Sequence, residues 1–216
     1  MKGIPLSTAT LRAIVAACFL AAILAAALGL GSSSPAPAAE SSTAPAAPRA
    51  ELLDDYSDPA RNKRGVERLL IDDKSAGSQS CATTQCENGI LVVQGELSPG
   101  RGVPAFISVV SPLSPDGKPR NLAGFEGVRL RAKVGAGLLC VQVASSEIDN
   151  FDYHTSAPIA VGKDGFQEVR VPFQEMRRAW SAQTRLNVET ITSVNLVSFG
   201  MAKGAFAYEV DEIGFY

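Results

Sequence analysis

Few residues of this chain could carry acid–base or nucleophilic chemistry. His154 is the sole histidine, so any Ser-His-Asp or Cys-His machinery would pass through it, and no G-x-S-x-G or comparable nucleophile context accompanies it. Carboxylates occur in pairs, Asp54-Asp55, Asp72-Asp73 and Asp211-Glu212. Such pairs could supply a glycosidase acid and base or an oxygen-rich calcium site, although no D-x-D-x-D-G loop appears. Asp211 lies in YEVDEIGFY, where Tyr208 and Val210 alternate against Glu209, Asp211 and Ile213. It either caps loop amides or shares a structural calcium with Asp55 of the first strand. No other cofactor is expected. Trp180, the only tryptophan, shares a helical spacing with Phe173 and Met176 and reads as a core plug rather than a platform for a ligand.

The elements that must position these residues follow a leader and a tract. Lys2 and Arg12 precede an uncharged, mostly apolar run, 13–30, and Ala36-Pro37-Ala38 offers small residues for cleavage. Residues 1–39 therefore read as a signal peptide or an uncleaved membrane anchor. Residues 40–50 close a Pro/Ala/Ser stretch that buries too little apolar surface to order itself. The expected location is secreted, periplasmic or on the cell envelope, with a possible membrane tether through the N-terminal segment. In such an oxidising compartment Cys81 and Cys86, separated by Ala-Thr-Thr-Gln in a polar loop, are expected to form a disulfide. Cys140 would stay a buried inert thiol, and one histidine is too few to complete a zinc site with them. With 20 Lys+Arg against 22 Asp+Glu and a net charge of −2, no cationic face for nucleic acid is expected. The one basic cluster, Arg61–Arg68, is broken by Glu67 and reads as a solvated loop.

From Glu51 onward the hydrophobic period is two rather than 3.6, with β-branched runs separated by Gly, Pro, Asn and Asp. Strands are expected over 51–56, 66–72, 89–97, 105–110, 127–134, 138–145, 150–159, 166–172, 191–199 and 205–216. The stretch 73–87 reads as a loop, and Lys163-Asp164-Gly165 as a turn. In 127–134 Val128, Leu130 and Ala132 face one way, and Arg129, Arg131 and Lys133 the other. Pro172 stops its strand, and 173–182 (FQEMRRAWSA) has the composition of a helix of two or three turns. The fold class is all-β: a two-sheet antiparallel β-sandwich spanning 51–216 with one short helix.

Four segments, NLAGFEGVRLRAKVGAG, FDYH, KDGFQEVRVPFQEM and ITSVNLVSFGMAKGAFAYEVDEIGFY, resemble in order and spacing the complex I intermediate-associated protein 30 domain. That domain is similar to family 11 carbohydrate-binding modules, among the galactose-binding-like jelly rolls. Phe166 stands where relatives usually carry tryptophan, and the Gly-rich stretch near the second strand is reduced to Ser75-Ala76-Gly77-Ser78. The resemblance implies a jelly roll that is not an enzyme and that binds a polysaccharide or a protein partner, or assists assembly of a membrane complex. It also implies a ligand-binding patch at Asp152, Tyr153 and His154, to which Arg131 is added from the polar face of its strand. Aromatic faces stack on sugar rings and charged forks hold hydroxyls.

Overall fold

The structure, a computed structural model, describes residues 50–160, 162 and 165–216. The leader, nearly all of the Pro/Ala/Ser tract, and Lys163 and Asp164 of the expected turn lie outside the described residues. No helix among the described residues is long and apolar enough to cross a membrane.

Eleven strands form two antiparallel sheets. One sheet contains β1 (Glu51–Asp54), β3 (Cys81–Glu87), β4 (Ile90–Leu97), β6 (Gly127–Ala136), β9 (Gln167–Pro172) and β11 (Gly204–Phe215). Their order is β3-β4-β11-β6-β9, with β1 beside the last residues of β11. The other contains β2 (Leu69–Asp72), β5 (Ala105–Pro112), β7 (Cys140–Ser145), β8 (His154–Thr155) and β10 (Ile191–Gly200), in the order β2-β5-β10-β7-β8. The two-sheet sandwich is therefore the observed architecture.

Strand alternation builds the core. Leu91, Val93, Leu130, Val134 and Val210 of the six-stranded sheet meet Ile107, Val109, Val141, Val143 and Leu196 of the five-stranded sheet, all essentially without exposed surface. Each such aliphatic side chain contributes about 1.5–3 kcal/mol by leaving water. Val171 and Phe173, on either side of Pro172, belong to the same core, and Val169 packs against it.

Four expectations are corrected. The stretch 73–87 is not all loop: Cys81–Glu87 is β3, joined to β4 through Asn88 and Gly89, both at positive φ (53° and 77°) as a two-residue hairpin turn requires. Cys81 and Cys86 consequently stand near opposite ends of one extended strand, about 16 Å apart at strand rise, and both thiols are free. The helix expected over 173–182 is reduced to a 3-10 turn, Phe173–Glu175. Tertiary partners take the backbone instead: Arg177 exchanges both main-chain hydrogen bonds with Thr155, and the amides of Ala179 and Trp180 donate to the Asp152 carboxylate. Finally, the register of β11 against β6 slips between Val210 and Glu212. This bulge turns both Asp211 and Glu212 outward and puts Ile213 in the core, the opposite of the face that simple alternation assigns to it.

Candidate functional site

The structure separates the four expected ligand residues. Arg131 projects from the outer face of the six-stranded sheet, where its guanidinium meets Asp211 at 2.6 Å and lies 5.5 Å from the Phe166 ring centroid. Asp152 is 4% exposed, and its carboxylate accepts hydrogen bonds from the amide of Ala179 (2.8 Å), the amide of Trp180 (3.2 Å) and Nε of Arg178 (3.2 Å). It fastens the chain after the 3-10 turn to the start of β8. His154 faces inward opposite Val143, with Nε2 3.0 Å from the Thr184 carbonyl oxygen and Nδ1 buried without a partner. Burial pushes its pKa down, against the hydrogen bond to Thr184. Of Asp152, Tyr153 and His154 only Tyr153, half-buried, faces out, and its ring meets that of Phe151 edge-on at 6.2 Å.

The carboxylates are each engaged. Asp54 is buried, accepts the Tyr56 amide and pairs with Arg68, and burial raises its pKa despite that cation. Arg68 also lies over the Tyr56 ring and reaches the Cys86 sulfur at 3.4 Å. Asp55 pairs with Lys63 at 2.6 Å, and hydrogen bonds from Lys63 and Ser57 hold its pKa down to about 2. Asp72 pairs with Lys74, and buried Asp73 accepts from the amides of Ser80 and Phe106. Asp211 and Glu212 pair with Arg131 and Arg129. Although β1 runs beside β11, as a calcium shared by Asp55 and Asp211 would need, a lysine and an arginine of this chain neutralise the two carboxylates separately. No group of three or more metal-capable side chains occurs among the described residues.

The two outer faces of the sandwich differ in chemistry. On the six-stranded sheet, Arg129, Arg131 and Lys133 of β6 pair across to Glu212, Asp211 and Glu209 of β11, and Arg170 pairs with Glu168 on β9. The outer face of the five-stranded sheet carries no charge on its paired strands. Its registers align Leu69, Val110, Asn195, Gln142 and Thr155 in one row across all five strands. Ile71, Ser108, Val197 and Cys140 form the next row, and Phe106 faces Phe199 in a third. The alternate residues Val109, Leu196 and Val143 lie in the core, so these rows point away from it.

Along this face the middle is less exposed than the edge formed by β2. Ser108, Asn195 and Val197 are 4–6% exposed, whereas Leu69 and Ile71 at the edge are 46% and 44% exposed. Gln142 Nε2 donates to Thr155 Oγ1 (3.2 Å), which in turn donates to the Tyr153 carbonyl. The alternation that turns His154 inward places Tyr153 on the side of Thr155, at a corner of the same face. Phe151 beyond it is 59% exposed and has φ 61°, a left-handed backbone that a bulky residue rarely adopts. Asn195 Oδ1 and Ser108 Oγ are buried without a hydrogen-bond partner among the described residues, an arrangement that costs roughly 1–3 kcal/mol for each group left unsatisfied. The face is uncharged and partly apolar, with amide and hydroxyl groups buried at its centre.

Sequence reasoning did not find this face, because it sought the ligand patch at Arg131 and the FDYH segment. The available signal was that the alternate positions Cys140, Gln142 and Ala144, and Ser193, Asn195 and Val197, are all uncharged, whereas β6 alternates core residues with cations.

A family model described as Complex I intermediate-associated protein 30 matches residues 61–210. No curated protein matches the chain. Among solved structures, the family 11 carbohydrate-binding module of the cellulosomal cellulase Lic26A-Cel5E of Clostridium thermocellum is similar. It has 13% identity, a TM-score of 0.58, and coverage of 79% of this chain and 95% of that chain. A family 11 module from Clostridium thermocellum, solved in complex with a beta-1,3-1,4-mixed-linked tetrasaccharide, is similar at 13% identity and TM-score 0.57, covering 79% of this chain and 96% of that chain. At this identity the likeness shows a shared jelly-roll fold alone.

Proposed function

The chain belongs to the complex I intermediate-associated protein 30 family, and we propose that its folded region is a non-catalytic binding module that seats a neutral glycan on the outer face of the five-stranded sheet. The observation that carries this reading is the contrast between the faces: one covered by ion pairs, the other uncharged across five strands. A charged ligand would find no counter-ion in the rows of Asn195 and Ser108. A sugar would find Tyr153 and Phe151 for stacking and the amides of Asn195 and Gln142 for its hydroxyls. The module from Clostridium thermocellum in complex with a tetrasaccharide has the same fold and lends this reading support. The pairing of all six clustered carboxylates with groups of this chain favours binding over hydrolysis. In the same reading the N-terminal apolar run exports the module or tethers it to a membrane.

A second reading, a protein partner during assembly of a membrane complex, is favoured by the family's description and by the aliphatic Leu69 and Ile71 on the same face. Electrophoresis through gels containing neutral polysaccharides, mixed-linked β-glucan among them, separates the two. Retardation by at least one neutral glycan, reduced about tenfold or more by Tyr153→Ala or Asn195→Ala, is expected of the first reading. Absence of retardation by every neutral glycan overturns it. A protein that co-purifies with the wild type and is lost from those same variants would then establish the second.

A further inference from the structure

The open edges of the sandwich are not protected alike. At the six-stranded sheet, β9 carries Glu168, Arg170 and Pro172, and β3 carries Thr83, Thr84, Gln85 and Glu87. In the five-stranded sheet, β8 is two residues long and its outer side is taken by the Thr155–Arg177 main-chain hydrogen bonds. These are the usual devices that stop edges from pairing with other chains. Among the described residues strand β2 pairs only with β5. Apart from its brevity it has none of them: Leu69, Leu70 and Ile71 are consecutive and 46%, 45% and 44% exposed, and the carboxylate of Asp72 is held by Lys74.

We propose that β2 is a seam at which a second copy of this chain pairs antiparallel, joining the five-stranded sheets of both copies into one. A two-fold axis normal to the sheet keeps each residue on its own face, which leaves few registers. Only with Leu70 opposite Leu70 of the second copy does Leu69 meet Ile71 on the outer side, so that every aliphatic side chain finds another. Shifting by one step sets Leu70 against Asp72, and shifting the other way sets it against Arg68. Leu69 and Ile71 also border the uncharged face, so pairing makes that face continuous across two copies and gives a long ligand two places to bind. The seam is independent of what the face binds.

Cysteine cross-linking of the full-length chain, in mild detergent and with Cys18, Cys81, Cys86 and Cys140 changed to alanine, tests the register. Opposed residues of an antiparallel pair have Cα atoms about 4.5–5.5 Å apart, within disulfide reach. Leu70→Cys is expected to give an oxidised dimer about tenfold faster than Thr83→Cys on the β3 edge. Ile71→Cys alone should stay slow, and a mixture of Leu69→Cys with Ile71→Cys should cross-link as a heterodimer. Equal rates at Leu70, Ile71 and Thr83 would overturn the seam, as would a sedimentation profile in which Leu70→Lys associates like the wild type. Glycan retardation that persists when the cross-link fails leaves the binding reading intact, and the reverse outcome leaves the seam intact.

Discussion

Asp152 shows how a residue can be found by its sequence and still be given the wrong task. It stands in the FDYH segment and is as unusual as that segment suggested, but its carboxylate is spent on three donors of the chain after Met176. Asp152→Ala leaves the amides of Ala179 and Trp180 without their acceptor and takes the carboxylate from Arg178, whose Nε keeps the main-chain carbonyl of residue 152 at 2.9 Å. A loss of about 3 kcal/mol in urea unfolding is expected. His154 predicts a pH dependence. Burial lowers its pKa in the folded chain, so between that value and the unfolded value near 6.5 the unfolded chain binds more protons. Stability therefore rises with pH across that window and is lost on acidification, when the buried, unpartnered Nδ1 would gain a proton that the charges of Arg178 and Arg177 oppose and that of Asp152 favours. Glu51 and Asp55, held to about 2, the first chiefly by a hydrogen bond from Arg120 and the second chiefly by one from Lys63, lose their contribution only below the ordinary carboxylate range. Urea midpoints of wild type and His154→Gln, compared from pH 7.5 to 5, should diverge at the acidic end only in the presence of the histidine.

At the level of elements, the alternation of Val128, Leu130 and Ala132 against Arg129, Arg131 and Lys133 was legible because a strand with one charged face can be arranged in only one way. The β3 strand was not, because CATTQCE is an edge strand with few apolar residues, and its best signal lay in the Asn88-Gly89 turn that follows it. The helix after Pro172 failed for a different reason: its propensity was real, but its partners, Thr155 and Asp152, are distant in sequence. Gly95 ties β3 to the sandwich. A Cβ added there would stand 2.1 Å from the Cys81 carbonyl oxygen and 2.9 Å from Phe206 Cε1, distances that only a shift of the β3 backbone relieves. Gly95→Ala should cost about 1–3 kcal/mol. Hydrogen exchange should locate the loss, with β3 amides exchanging faster and β10 amides unchanged.

For the whole molecule, the division into a charged outer face and an uncharged one gives the fold its direction. The ion pairs of β6 with β11 are partly exposed and contribute little to stability, about 0–1 kcal/mol each, yet they keep the six-stranded sheet from presenting an apolar surface. The five-stranded sheet gives up that protection, and its composition was present in the sequence without being readable there, because only the registers show that uncharged residues from five separate segments share one side. Binding through such a face should change little between low and moderate salt, whereas binding through the Arg131 side would weaken as screening increases. The most direct test compares the affinity of Asn195→Ala, Tyr153→Ala and Arg131→Ala for a retarding neutral glycan at both salt concentrations. The account predicts a loss of about tenfold or more for the first two, none for Arg131→Ala, and little salt dependence in any of them. Loss confined to Arg131→Ala would contradict it and move the site to the opposite face.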